Sequence, residues 1–178
     1  AYRKMREHEE KDWMNLVKEL PGWEKIHHLL LFTLCSEPYE VVRDSFEKLM
    51  KSDYPKEKLL VVLSAEESQQ EKTQETVEKI SQEFGDKFCR FLTTWHPAGL
   101  PGEIIGKGSN DRWAEKEAKK QLIDPLKIPY EKTIVSFFDI DSCIFPKYFS
   151  CLTWHYLKSP KPTRTSFQPI PLFINNIW

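Results

Sequence analysis

Charge of one sign is missing from this chain: 26 basic residues meet 27 acidic ones, for a formal net charge of -1. No basic run stands apart from acidic neighbours. That balance argues against a general polyanion binder, and with it against nucleic acid as a partner. Cysteine is sparse and unpatterned. Cys35, Cys89, Cys143 and Cys151 include no C-x-x-C pair, which argues against structural zinc and against a disulfide framework; they read as reduced packing residues of a cytosolic domain. Long apolar runs are lacking too. The longest, Leu29 to Leu34, falls far short of a bilayer span, and the N-terminus shows no signal-peptide pattern. Neither an internal repeat nor a low-complexity tract interrupts the 178 residues, a length suited to one domain with a substantial core.

What remains is an alternation of apolar runs and amphipathic stretches. Residues 2 to 20 read as one helix with Trp13, Leu16, Val17 and Leu20 on a single face, stopped by Pro21-Gly22. Ile26 to Leu34 reads as a buried strand. A helix opened by Ser36-Glu37-Pro38 follows, with Val42, Phe46, Leu49 and Met50 inward. Strands at Leu59 to Leu63 and Phe88 to Thr93 enclose a helix from about Gln69 to Phe84, closed by Gly85. Trp95 to Ser109 holds four of the six glycines. It reads as a long functional loop before a helix capped by Ser109 or Asn110 and running to about Gln121. A last strand ends at Asp139, and a last helix runs from Pro146 to Leu157. This order predicts an α/β domain with a mostly parallel sheet flanked by helices.

The strand-end carboxylates carry the chemistry. Thr133 to Phe138 is an apolar run that breaks into Asp139-Ile140-Asp141. A central parallel strand delivers such groups just beyond its carboxyl end, where ligands bind. Two carboxylates one residue apart are hard oxygen ligands, suited to Mg²⁺ or Mn²⁺ bridging to substrate phosphates. Ser36-Glu37 and Glu66-Glu67 fall after two other strands, so all three clusters are expected on one sheet edge.

Four segments in this order resemble the family 2 glycosyltransferases of the GT-A fold: Leu34-Cys35-Ser36-Glu37-Pro38, Ser52-Asp53-Tyr54-Pro55, Gly106-Lys107-Gly108-Ser109-Asn110 and Asp139-Ile140-Asp141. They span about residues 26 to 178. The resemblance implies a Rossmann-like GT-A domain over 23–178 behind an N-terminal amphipathic helix at 1–22. The implied enzyme transfers a sugar, with inversion, from a nucleotide-diphosphate donor, foremost a UDP-sugar, to a glycan or lipid acceptor. Glu37 and Glu66 would meet base or ribose, Thr33 and Leu34 would line the base pocket, and Lys107 would face the diphosphate. Asn110 would help hold the donor, Asp139 would face ribose and metal, and Asp141 would ligate the metal. The chain departs from the family where Ser36 replaces the usual Asn and Ala65-Glu66-Glu67-Ser68 replaces the usual Asp-Asp-x-Ser.

No acceptor-side base is identified, so the resemblance places it in a continuation beyond Trp178. The chain then reads as a cytoplasmic segment of a multipass membrane protein, attached through segments outside it. Ile170 to Trp178 and the apolar face of residues 2 to 20 are expected to be exposed for want of that partner. A non-catalytic nucleotide-sugar-binding module is the alternative.

Overall fold

The computed structural model describes residues 2–103 and 106–169, with backbone alone for residues 2–5. Four strands form one parallel sheet: β1 (His27–Leu34), β2 (Leu59–Glu66), β3 (Arg90–His96) and β4 (Thr133–Asp139), in the order β3-β2-β1-β4. The chain therefore builds outward from β1 through β2 to β3, then crosses back to place β4 on the far side of β1. Helices lie on both faces. This is the expected α/β architecture, a Rossmann-like parallel sheet flanked by helices, and its strand order reverses between β1 and β4.

Side chains alternate across a strand with period two, and that alternation sorts the core. One face presents Leu30, Phe32 and Leu34 of β1 with Val61, Leu63 and Ala65 of β2. Against it pack α3 (Tyr39–Met50) through Val42, Phe46 and Leu49, α4 (Gln70–Phe84) through Val77, Ile80 and Phe84, and α7 (Tyr148–Lys158) through Phe149. The other face presents Leu29, Leu31, Leu60 and Val62 to α5 (Lys107–Ala118) and to the π-turn Lys119–Ile123 that prolongs it before α6 (Asp124–Leu126). Each of these core side chains contributes about 1.5–3 kcal/mol by leaving water.

Several boundaries differ from expectation. Residues 2 to 20 form two helices, α1 (Tyr2–Glu10) and α2 (Trp13–Lys18), because the Asp12 carboxylate accepts the Asn15 amide at 3.0 Å and starts a new helix. The apolar face expected to be exposed is buried in its second half: Trp13, Met14 and Val17 pack against the body of the domain. Helix α3 begins only at Tyr39, with Pro38 at its N-cap and no side-chain cap. Gly85 ends α4 with ordinary right-handed φ, and its role is spatial, since a Cβ there would collide with the Ser81 carbonyl oxygen. Strand β3 runs on to His96, taking Trp95 and His96 out of the predicted loop. The segment Ile170 to Trp178 lies outside the described residues. No helix among the described residues is long and apolar enough to cross a membrane.

Candidate functional site

The carboxyl ends of the four strands share one edge, and on the α5 face of that edge the alternation lines up Thr33, Ser64, Glu66, Thr94, His96 and Asp139. Register fixes their neighbours: Thr33 lies opposite Asp139, Ser64 opposite Thr94 and Glu66 opposite His96. Adjacent strands are about 4.8 Å apart and residues rise about 3.3 Å along a strand, so Glu66, two strands from Asp139 and two residues beyond its register partner Ser64, sits about 12 Å from it. Leu34 points the other way. Its side chain is fully buried in the core beneath α3, so of the two residues expected to line a base pocket only Thr33 presents its side chain here.

Helix α5 docks on this edge through its first turns. Its buried stripe is Asn110, Ala114 and Ala118. The two alanines let the helix approach the sheet closely, and the asparagine sits where the stripe meets the polar strand ends. Asn110 Oδ1 accepts from the Ser64 hydroxyl, which accepts in turn from Thr94 Oγ1 at 2.9 Å. Asn110 Nδ2 is buried without a partner among the described residues, a cost that a packed apolar residue would not carry. One residue on, Asp111 accepts from the Thr33 hydroxyl at 2.5 Å. The sequence named Asn110 but not Asp111, Ser64 or Thr94. An Asn spaced i, i+4, i+8 with two alanines was the available signal.

Lys107 opens α5 and pairs with Asp139 at the end of β4, spanning the place where the strand order reverses. Both side chains are well exposed, at 44% and 70%. Asp141 follows, exposed in the turn closed by the Ser142 amide on the Asp139 carbonyl at 2.9 Å. Asp139 and Asp141 offer carboxylate oxygens, the donor type that a hard divalent cation takes, and the Lys107 ammonium occupies Asp139. No third His, Cys, Asp or Glu joins them in a tight cluster among the described residues.

Glu37 and Glu66, expected to read base or ribose, are both engaged. Glu37 Oε2 accepts from the backbone amides of Cys35 at 2.8 Å and Ser36 at 3.0 Å, tightening the turn after β1. Glu66 Oε2 lies 2.9 Å from His96 Nδ1, and Glu103 Oε2 lies 2.9 Å from His96 Nε2. Ionised carboxylates only accept, so the arrangement favours the doubly protonated ring, in which both nitrogens donate. Burial opposes that charge, but the two carboxylates outweigh it and hold the His96 pKa above its ordinary value. Glu66 Oε1 has no hydrogen-bond partner among the described residues.

The His96 clamp organises the glycine-rich loop. Glu67 accepts the Ala98 amide at 3.0 Å. Gly99 and Gly102, at φ +75° and +79°, then turn the chain back so that Glu103 reaches His96. His96 also lies against Trp113 of α5, with ring centroids 5.9 Å apart. His96 thus ties the loop to the sheet. His28, by contrast, is a core residue. It is fully buried against Tyr54 and Phe149, its pKa is pushed down to about 3 by burial, and Nε2 lies 2.8 Å from Thr153 Oγ1.

The segment Ser52 to Pro55 lies away from this edge. Tyr54 is buried and its hydroxyl donates to the Ile26 carbonyl at 3.2 Å. Asp53 accepts from Ser150 Oγ at 2.8 Å while its amide donates to the Pro146 carbonyl, which fixes the start of α7. This motif is architectural. No protein-family model matches the chain, and no curated protein matches it.

Proposed function

We propose that the chain is the donor-binding part of a glycosyltransferase that uses a nucleoside-diphosphate sugar, foremost a UDP-sugar, with Mg²⁺ or Mn²⁺. The observation that carries this reading is the meeting of Lys107 and Asp139 at the β1–β4 reversal, the crevice where open parallel sheets bind ligands. In this reading the pair exchanges partners on binding. Lys107 turns to the diphosphate at the N-terminus of α5, where backbone amides also favour an anion, and Asp139 turns to ribose and metal. Asp139 and Asp141 would hold the ion, which when bound neutralises the charge developing on the departing diphosphate.

The remaining roles belong to the same reading. Thr33 walls the crevice and Glu37 offers an acceptor oxygen to base or ribose, while Glu66, with Oε2 on His96 and Oε1 buried, reaches the donor only by leaving that clamp. Asn110 lies beneath the surface, so it positions Lys107 through the first turns of α5 rather than touching the donor. A base for the acceptor, which inverting transfer requires, is not assigned to any residue. The glycan or lipid acceptor and the cytoplasmic, membrane-attached setting belong to this reading as well. A non-catalytic module that binds the nucleotide-sugar would use the same crevice.

Calorimetric titration with UDP tests the reading. Binding should require Mn²⁺ or Mg²⁺, vanish with EDTA and weaken strongly in Asp141→Asn without loss of melting temperature. Equal binding in EDTA would remove the metal, and no binding of any nucleoside diphosphate would remove the donor site. Donor hydrolysis by the chain would separate the enzyme from the binding module.

A further inference from the structure

A second cluster of metal-type ligands lies far from the carboxyl edge and is independent of the reading just given. His8 comes from the last turn of α1, and Cys151 and His155 stand one helical turn apart on α7. One ligand atom from each lies within 4.8 Å of the others, and this is the cluster of its kind among the described residues. The His8 and His155 rings are stacked nearly parallel, with 2° between their planes and centroids 6.4 Å apart.

The cluster is held from outside. Lys147, just before α7, donates to the carbonyls of Glu9 at 2.7 Å and Lys11 at 2.9 Å, which fixes the end of α1 against α7. Trp13 Nε1 donates to the His8 carbonyl at 2.8 Å. Trp13 and Trp154 flank the His155 ring, with centroids 5.6 and 5.0 Å away, and give the site an apolar wall. His8 is exposed while Cys151 and His155 are half-buried, so an ion has a way in.

We propose that His8, Cys151 and His155 form a site for a borderline-soft divalent ion, zinc foremost, that clips α1 to α7. Thiolate and imidazole are the ligands such ions select, whereas the carboxylate pair at Asp139 and Asp141 suits harder ions. A pair at i, i+4 on one helix presents two ligands on one face, and His8 closes the triangle from the facing helix. With Zn–S about 2.3 Å and Zn–N about 2.1 Å, tetrahedral ligands stand roughly 3.3–3.8 Å apart. From separations of up to 4.8 Å the groups need to draw together by at most about 1.5 Å, within rotamer adjustment. Solvent or an added ligand takes the fourth corner. As the S–Zn bond forms the Cys151 thiol gives its proton to solvent, and Lys11, whose ammonium lies 5.1 Å from the centre of the Trp13 ring, is the adverse charge nearby. Cysteine spacing argued against zinc because it is read along the chain; the histidine partner here is 143 positions away.

Cobalt(II) titration of the chelator-stripped chain is the test. Expected are a thiolate-to-cobalt charge-transfer band and tetrahedral d–d bands, displaced by Zn²⁺ but not by Mg²⁺. Cys151→Ser should lose the charge-transfer band. His8→Gln and His155→Gln should each weaken zinc by more than the roughly 10- to 100-fold that loss of an outer-shell partner costs. If Cys151→Ser does not fold, alkylation of the wild-type chain decides: zinc should protect Cys151 and leave the exposed Cys35 and Cys143 reactive. Absence of a thiolate band, unchanged zinc affinity in all three variants, or protection of Cys35 or Cys143 instead would overturn the site.

Discussion

The two faces of the sheet are built on different terms. Beneath α3, α4 and α7 the packing is aromatic and closed: Phe46 is within 6 Å, centroid to centroid, of Phe32, Phe84 and Phe91, and Phe138 lies 5.3 Å from Phe32. Beneath α5 the contact residues are small, Ala114 and Ala118, and polar groups enter from both sides. On that face Val135 and Phe137 of β4 remain 40% and 50% exposed. Every strand-end group of the candidate site, Thr33, Glu66, His96 and Asp139, belongs to this second face. One face supplies stability, and the other gives up part of its packing to position polar side chains.

Truncation should separate the faces most sharply. Phe46→Ala removes a fully buried ring among three others and is expected to cost about 3–5 kcal/mol. Phe137→Ala, on the open face, should cost under about 1 kcal/mol because half of its surface is already in water. Urea unfolding of the two variants measures both, and equal losses would break the comparison.

The His96 clamp gives the next largest effect. Because burial is outweighed by Glu66 and Glu103, His96 binds its proton more tightly folded than unfolded. Its contribution is therefore complete below the ordinary histidine value of 6.5 and is lost as pH rises through the higher folded value. His96→Gln should cost about 1.5–3 kcal/mol near pH 6, as expected for charge-assisted hydrogen bonds. The gap from wild type should narrow as pH rises above 6.5 and through the folded value. A gap that does not change with pH would mean the ring is neutral and the clamp is only packing.

Much of this was legible along the chain because it is written in local pattern. The apolar runs of β1, β2 and β4 and the stripe Val77, Ile80, Phe84 announce themselves, as does the placing of Asp139 at a strand end. What escaped depends on neighbours that sequence does not order. The carboxylate at Glu66 reads as a free ligand until β3 is seen to bring His96 beside it. Asn110 reads as a surface cap until the alanine stripe pulls it under. Leu34 was paired with Thr33 as pocket lining, yet adjacent residues of a strand face opposite sides, so a single site can take only one of them. The split of α1 from α2 turns on one carboxylate, Asp12, reaching the Asn15 amide.

Lys107 should matter least to stability and most to binding, which makes it the finest test of the division between the faces. Its ion pair with Asp139 joins two exposed side chains in water, where such pairs contribute about 0–1 kcal/mol. Lys107→Ala should therefore leave the unfolding midpoint nearly unchanged, and what small loss there is should fade with added salt. If the pair is held in readiness for an anion, the same substitution should sharply weaken UDP binding in Mn²⁺ and flatten its salt dependence, since the point charge facing the diphosphate is gone. A clear loss of stability with intact UDP binding would reverse the assignment. Lys107 would then be a strut tying α5 to β4, and the open face would be as structural as the closed one.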